Sequence, residues 1–316
     1  MTDAHLDGPA KQRAAILWLT LMCVFWGATF LLMELGCDRL RVILGAEQRL
    51  AAAAYFLVLR FALAVVLMPV AIPASVRRLD SAAWRHGLPL SLVFSAGYVL
   101  QLFGLTQDDI GPSQSAFLTS LYVVVTPLIV GVVQRRWPPK GVLLGLPLAV
   151  FGAAFIAGPP HGGLSAGAWA TLGCAVAFSC HIAITDYSAR RVDPMALTLT
   201  TLVYSLGWLC LALLVAPGGL ATLAPHYLFA ALRDPVVLST VGVCALFATV
   251  IALAVLNRWQ TALHPSRAAI LYTTEPVFAT LVSIAVGREV ATSWLVVSAA
   301  TILAANLAAS WRARAA

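Results

Sequence analysis

Apolar residues in this chain come in long runs, parted by short stretches of glycine, proline and charge. Ten runs are present, over 14–35, 51–72, 84–105, 112–134, 141–158, 164–188, 196–216, 235–257, 267–286 and 291–311. Each is about the length that a helix needs to cross the hydrocarbon core of a bilayer. The pattern predicts an all-α, polytopic helical membrane protein with ten transmembrane helices. The longest connection, around 217–234, holds His226-Tyr-Leu-Phe-Ala-Ala-Leu-Arg233-Asp234 and reads as a surface-lying amphipathic segment. Lys11 and Arg13 precede the first run, as in a signal peptide, but the run is long and ends without a small-x-small site. It is expected to be a retained span behind a cytoplasmic tail of residues 1–13.

The composition agrees. Hydrophobic residues make up 61% of the chain and charged residues 10%, with a mean hydropathy of +0.90. Soluble domains carry about 25% charged residues, so this much apolar surface has no place in one aqueous core. The net charge of +7 arises from short basic pairs between apolar runs. No basic stripe with interleaved aromatics is present, which argues against nucleic acid. Summed over alternate loops, Lys and Arg number 14 on the side of the termini and 5 on the other. The positive-inside rule then puts both termini in the cytoplasm of a plasma (inner) membrane protein. The six cysteines lie mostly within apolar runs, without metal-ligand spacing, and read as small buried hydrophobes.

The chain also repeats itself. Trp18, Thr20, Leu21 and Cys23 match Trp169, Thr171, Leu172 and Cys174, 151 positions on. Pro112-Ser113 matches Pro265-Ser266, 153 positions on, with Ala116/Ala269 and Leu118/Leu271 behind them. Two halves of five spans follow, 14–160 and 161–316. Because five is odd, the second half enters the membrane from the opposite side, giving two inverted five-helix repeats.

A few polar residues sit where a bilayer disfavours them. Glu275 lies near the middle of the ninth run, directly before Pro276. An intramembrane carboxylate usually faces a protein interior or a watery cavity, and the proline removes a backbone donor there. Glu275 is either a neutral, hydrogen-bonded packing residue or a substrate- or proton-binding point. In the fourth run Ser115, Thr119, Tyr122 and Thr126 share one helix face. Under the 153-residue offset Thr119 falls on Tyr272 and Tyr122 on Glu275, so the halves offer one face each to a shared cavity. Self-bonded Ser and Thr that permit close packing are the plainer reading. Arg60, deep in the second run, needs a counter-ion or carbonyl partners; Glu34 and Glu275 are candidates for a charge pair or gate. His181, in the sixth run, is a proton relay or an ordinary interhelical hydrogen-bonder. Asp186, five residues on, is interfacial. Trp26, Tyr98 and Gln101 complete the candidate cavity lining. Pro127 and Pro276 are candidate helix breaks. Ala300, Ala304 and Ala308 favour close helix contact, including a homodimer contact.

Gly163-Leu-Ser165-Ala-Gly167 fits the nucleophile-elbow pattern, but it opens an apolar helix where that motif needs a strand. No P-loop or metal motif is present, so no cofactor and no enzymatic activity are expected, and transport would draw on an ion or solute gradient.

Trp26-Gly27-Ala28-Thr29-Phe30, Arg60-Phe61-x-Leu63-Ala64, Ser115 to Tyr122 with Pro127 beyond, Glu275-Pro276-Val277-Phe278-Ala279 and Gly287-x-Glu289 stand in an order and spacing that resemble the EamA-type members of the drug/metabolite transporter superfamily. The resemblance covers nearly the whole chain. It implies a ten-helix inverted-repeat carrier that moves small metabolites across the membrane, often outward. The chain departs in a longer first loop, with Cys37, Asp38, Arg39 and Arg41. The expectation is therefore a secondary transporter working by alternating access on a small-molecule substrate, with Glu275 as a substrate-binding or proton-coupled carboxylate. A lipid-linked substrate flippase and a non-transporting receptor or scaffold are the alternatives.

Overall fold

The computed structural model describes residues 9–107, 109–133, 135, 140–155, 164–189, 191–259, 262 and 271–311. Every regular element among them is helical. In chain order they are α1 (Pro9–Leu44), α2 (Arg49–Ala71), α3 (Ala74–Arg77), α4 (Ser81–Leu105), α5 (Pro112–Thr119), α6 (Tyr122–Val133), α7 (Lys140–Phe155), α8 (Ala166–Ala189) and α9 (Pro194–Val215). A 3-10 turn (Gly219–Leu223), α10 (Pro225–Arg233), α11 (Pro235–Ala245), a π-helical turn (Leu246–Ile251), α12 (Ala252–Trp259), α13 (Glu275–Ala285) and α14 (Ser293–Trp311) follow. Among the described residues six helical stretches are long and apolar enough to cross a membrane: α1, α2, α4, α8, α9 and the run through α11 and α12. The chain is a multi-pass membrane protein. The helices α7, α13 and α14 are apolar but shorter. Gly163, Pro265, Ser266, Arg267 and Ala269 lie outside the described residues, as does the side chain of Asp186.

The expected first loop is helix. In α1 the buried Met33, Cys37, Leu40 and Leu44 recur every three or four residues, so the apolar face runs on past the charges. At 1.5 Å per residue α1 is about 54 Å long, well beyond a hydrocarbon core of about 30 Å. Its last turns therefore hold Asp38, Arg39 and Arg41 outside the apolar layer. Between α9 and α11 the expected amphipathic segment is α10, with Leu228, Phe229 and Leu232 exposed and Ala231 buried.

Two helix starts share one device. Asp193 precedes Pro194 at the start of α9, and Asp234 precedes Pro235 at the start of α11. Each carboxylate accepts from two first-turn N–H groups, Met195 and Ala196 at 2.9 and 3.2 Å, Val236 and Val237 at 3.0 and 3.1 Å. The proline takes the position whose N–H has no helical partner. Each aspartate also pairs with a distant arginine, Arg78 at 2.8 Å and Arg39 at 2.6 Å. Burial pushes the Asp193 carboxyl upward, but the Arg78 guanidinium and the two N–H groups hold it below the usual carboxylate range. A depressed carboxylate stabilises above its unfolded value and loses that contribution as pH falls through its folded value. The Asp193 contribution should thus hold at neutral pH and fade below about pH 4. Asp193→Ala should cost about 1 kcal/mol, read as a lower midpoint in thermal unfolding at pH 7 and a smaller difference from wild type at pH 3.

The core lies in two main clusters, with a small third one of Leu90, Val192 and Leu197. The larger main cluster joins α1, α2, α4, α9, α11 and α12; the other joins α5, α6, α7, α8 and α14 through Phe117, Leu118, Val142, Ala149 and Ile302. The α5–α6 and α13 segments pass where the two meet, and both are interrupted. A turn at Ser120–Leu121 separates α5 from α6, and a turn at Thr273–Thr274 precedes α13. The two turns stand 153 positions apart. The first is pinned from α14: Asn306 Nδ2 donates to Ser120 Oγ at 3.1 Å, and that hydroxyl donates to the Phe117 carbonyl at 2.7 Å.

Candidate functional site: a buried cavity between the helix breaks

A cavity of about 80 Å³ lies beside the two breaks. Its lining includes Trp26, Thr29 and Phe30 from α1, Phe94, Tyr98 and Gln101 from α4, and Thr119 and Tyr122 from either side of the first break. Phe178, His181 and Ile182 of α8, Leu253 and Leu256 of α12, and Tyr272 and Glu275 around the second break complete it. Mostly apolar walls with a few convergent polar groups are the usual make-up of a small-molecule site. The volume is well below the roughly 300 Å³ of a typical ligand pocket; in this conformation it admits only a very small solute or a few waters.

Glu275 is the first residue of α13, where Pro276 follows with its missing N–H at no cost. It is 8% exposed, and the Tyr122 hydroxyl donates to Glu275 Oε2 at 3.4 Å. Gly27 makes this placement possible. A Cβ there would lie 2.7 Å from the Glu275 carbonyl oxygen and 2.8 Å from the Ala279 nitrogen. Only a glycine lets α1 lie directly on the α13 backbone, which brings Trp26 and Glu275 to one cavity.

Arg60 is fully buried, and among the described residues its hydrogen-bond partners are all uncharged. Of the expected alternatives, carbonyl and hydroxyl acceptors take the place of a charge pair with Glu34 or Glu275 in this conformation. Arg60 Nε donates to Thr249 Oγ1 at 2.9 Å, and its NH2 group reaches the Tyr98 hydroxyl at 3.2 Å and the Ala248 carbonyl at 3.5 Å. Its charge also lies 4.8 Å from the Tyr98 ring centroid. The π-helical turn is the physical reason. Its wider register frees carbonyls that an α-helix would use: Ala248 accepts from Trp26 Nε1 at 3.0 Å as well, and Thr249 donates to the Cys244 carbonyl five residues back at 2.9 Å. Glu34 is half-buried on α1. No sequence signal marks the π turn.

Other candidates divide. Ser115 is fully buried but stands off the cavity, and Thr126 bonds back to the Tyr122 carbonyl at 2.6 Å. The polar stripe is thus split by the turn at Ser120–Leu121. Pro127 lies inside α6, with the interruption upstream of it. His181 stacks on Phe94, ring centroids 4.6 Å apart. Asn306, an asparagine in a helix of small residues, carries no spacing signal in the sequence.

Glu289, beyond α13, ties the far end of the site. Its carboxylate accepts from the Ser113 N–H at 3.2 and 3.3 Å and from the Ser113 hydroxyl, so it caps α5 from 176 residues away. Arg288 reaches Asp38 of α1 at 3.4 Å. The α5 segment is held at one end by Glu289 and, just past its other end, by the Tyr122–Glu275 contact. Glu289→Ala should cost about 1 kcal/mol as a lost cap. It should also raise, several-fold, the labelling of a Thr119→Cys cavity probe by a hydrophilic thiol reagent applied on the Glu289 side.

No family model matches the chain. It is similar to a protein of Archaeoglobus fulgidus described as an uncharacterized transporter, 27% identical over 305 residues, covering 96% of this chain and 87% of the relative. It is also similar in fold to a protein of known crystal structure, with a TM-score of 0.59 at 17% identity, over 94% of this chain and 95% of the other. Fold similarity over nearly the full length of both chains makes this helical arrangement a recurring one.

Proposed function

We propose that the chain is a secondary transporter of the EamA type, in the drug/metabolite transporter superfamily, that moves small metabolites or amphipathic solutes across the plasma membrane, in the outward direction, by alternating access. The observation that carries the reading is the Tyr122–Glu275 contact in a cavity between two broken helices. Those residues, and the two turns beside them, stand at the same 153-residue offset as the sequence repeat. In a pair of inverted repeats, positions that touch their own equivalents lie near the pseudo-two-fold axis, where carriers of this kind place their sites. Ten spans in halves 14–160 and 161–316, with cytoplasmic termini, accord with this reading. The archaeal relative, a transporter by its description, adds support.

In the mechanism we infer, the two halves rock about the breaks at Ser120–Leu121 and Thr273–Thr274. The 80 Å³ volume is then that of an occluded state, and the cavity widens when one side opens. Glu275 supplies the charge-bearing contact to solute or proton; Tyr122, Tyr272 and Gln101 supply hydrogen bonds; Trp26 and Phe178 supply apolar faces. A flippase needs polar groups along a groove open to lipid. The groove between α4 and α9 is lined by Val99, Leu211, Ala212 and Val215, which suits acyl chains and offers a headgroup little to bind.

The test is counterflow in proteoliposomes. Purified protein and protein-free liposomes are loaded with a panel of small metabolites and offered trace label outside. Concentrative uptake of a subset by the protein alone supports the reading; no uptake above protein-free liposomes across the panel, with the protein folded, rejects it.

A further inference from the structure

Beyond the cavity, His181 faces a second space. A chamber of about 20 Å³ lies between α4, α8, α9 and α12, lined by Leu90, His181, Thr185, Leu197, Thr198, Thr201 and Leu253. His181 and Leu253 line both spaces. The chamber has room for one water, which needs two to four polar partners to stay buried. Those partners are present. The Thr185 hydroxyl is buried and makes no hydrogen bond. Thr201 donates to the Leu197 carbonyl at 2.7 Å, which leaves its oxygen able to accept. His181 is 9% exposed, and neither ring nitrogen has a hydrogen-bond partner among the described residues. A buried imidazole without a protein partner is costly unless water supplies one.

The chamber also lies close to the protein surface. Thr185 stands four residues before the end of α8, and Thr198 four residues after the start of α9. At 1.5 Å per residue only about 6 Å of helix separates either from its helix end. That end is closed by a small apolar cluster of Leu90, Val192 and Leu197 and by two polar contacts, Arg78 to Asp193 at 2.8 Å and His86 to Ser188 at 3.1 Å.

We propose that this chamber is a water-binding site and the inner passage of the protein. It joins the central cavity to the cytoplasmic face, with His181 at the junction. The direction rests on the carrier reading, which puts the α8–α9 turn in the cytoplasm; the chamber itself does not.

The probe is a membrane-impermeant cationic methanethiosulfonate, applied to inside-out and right-side-out vesicles. Modification is read by mass spectrometry of the labelled peptide, so the native cysteines stay in place. Thr185→Cys and the cavity probe Thr119→Cys should label from the inside-out vesicles at least ten times faster than Leu211→Cys on the lipid-facing groove. Adding His181→Trp, or His181→Phe should the first not fold, should slow Thr119→Cys labelling at least tenfold and leave Thr185→Cys within twofold. Labelling of Thr185→Cys at the Leu211→Cys rate, labelling from right-side-out vesicles only, or Thr119→Cys labelling indifferent to His181 would each overturn the proposal. Labelling requires no transport, so these results stand apart from the outcome of counterflow.

Discussion

Gly27→Leu should abolish transport and lower the unfolding temperature sharply, and Gly27→Ala should do the same in milder form. The reason is geometric. The atoms a Cβ would meet at Gly27 belong mainly to the α13 backbone, the Glu275 carbonyl oxygen at 2.7 Å and the Ala279 nitrogen at 2.8 Å, with Phe278 Cβ at 2.9 Å. Backbone cannot swing aside as a flexible side chain can, so α1 and α13 must part. Overpacking of this kind typically costs about 1–3 kcal/mol, and leucine lies at or beyond the upper end. Parting the helices also moves Glu275 away from Tyr122 and Trp26. Gly36 provides the internal control. A Cβ there meets the Phe56 ring at 2.3 Å, and a ring end has more freedom to move. Thermal unfolding in detergent should rank Gly27→Ala below Gly36→Ala. Equal stabilities would mean that the α1–α13 approach is looser than described.

Arg60→Ala should be among the most destabilising single changes in the chain. It removes a fully buried side chain and takes a donor from Thr249 and Tyr98 at once, while the Ala248 carbonyl keeps Trp26. Large-to-small changes at buried sites cost about 2–5 kcal/mol, and unpaired buried polar groups add about 1–3 kcal/mol each. Arg60→Lys keeps the charge but lacks the planar fork that reaches Thr249 and Tyr98 together, so it should recover only part of the loss. Thermal midpoints in the order wild type, Arg60→Lys, Arg60→Ala are expected. A lysine variant as stable as wild type would show that the π turn needs only a point charge.

Much of this was legible in the residues. Six of the apolar runs are helices long enough to cross a membrane among the described residues, because a bilayer accepts only segments that satisfy their own backbone bonds. The cavity residues Trp26, Tyr98, Gln101, Thr119, Tyr122, Tyr272 and Glu275 were visible as polar or aromatic groups at membrane depth. What stayed hidden depends on backbone geometry. The turn at Ser120–Leu121 has no proline at it, and Asn306, which pins it, is 186 residues away. The extension of α1 to Leu44 was masked by its charges, although the spacing of Cys37, Leu40 and Leu44 carries the helical period. The acceptors of Arg60 belong to a π register that an apolar run does not announce. Ser115 is equivalent to Thr119 only on an unbroken helix.

The central claim is that Glu275 works in the cavity on the transported solute or on a coupled proton. Glutamine at 275 keeps the size of the side chain and a carbonyl oxygen for the Tyr122 hydroxyl, and removes only the ability to carry charge. The decisive measurement is counterflow of the solute found by the metabolite panel, with wild type and Glu275→Gln of matched melting temperature in the same liposomes. The account predicts exchange by wild type and a rate at least tenfold lower for Glu275→Gln. Exchange by Glu275→Gln at the wild-type rate, with the same pH dependence, would contradict it.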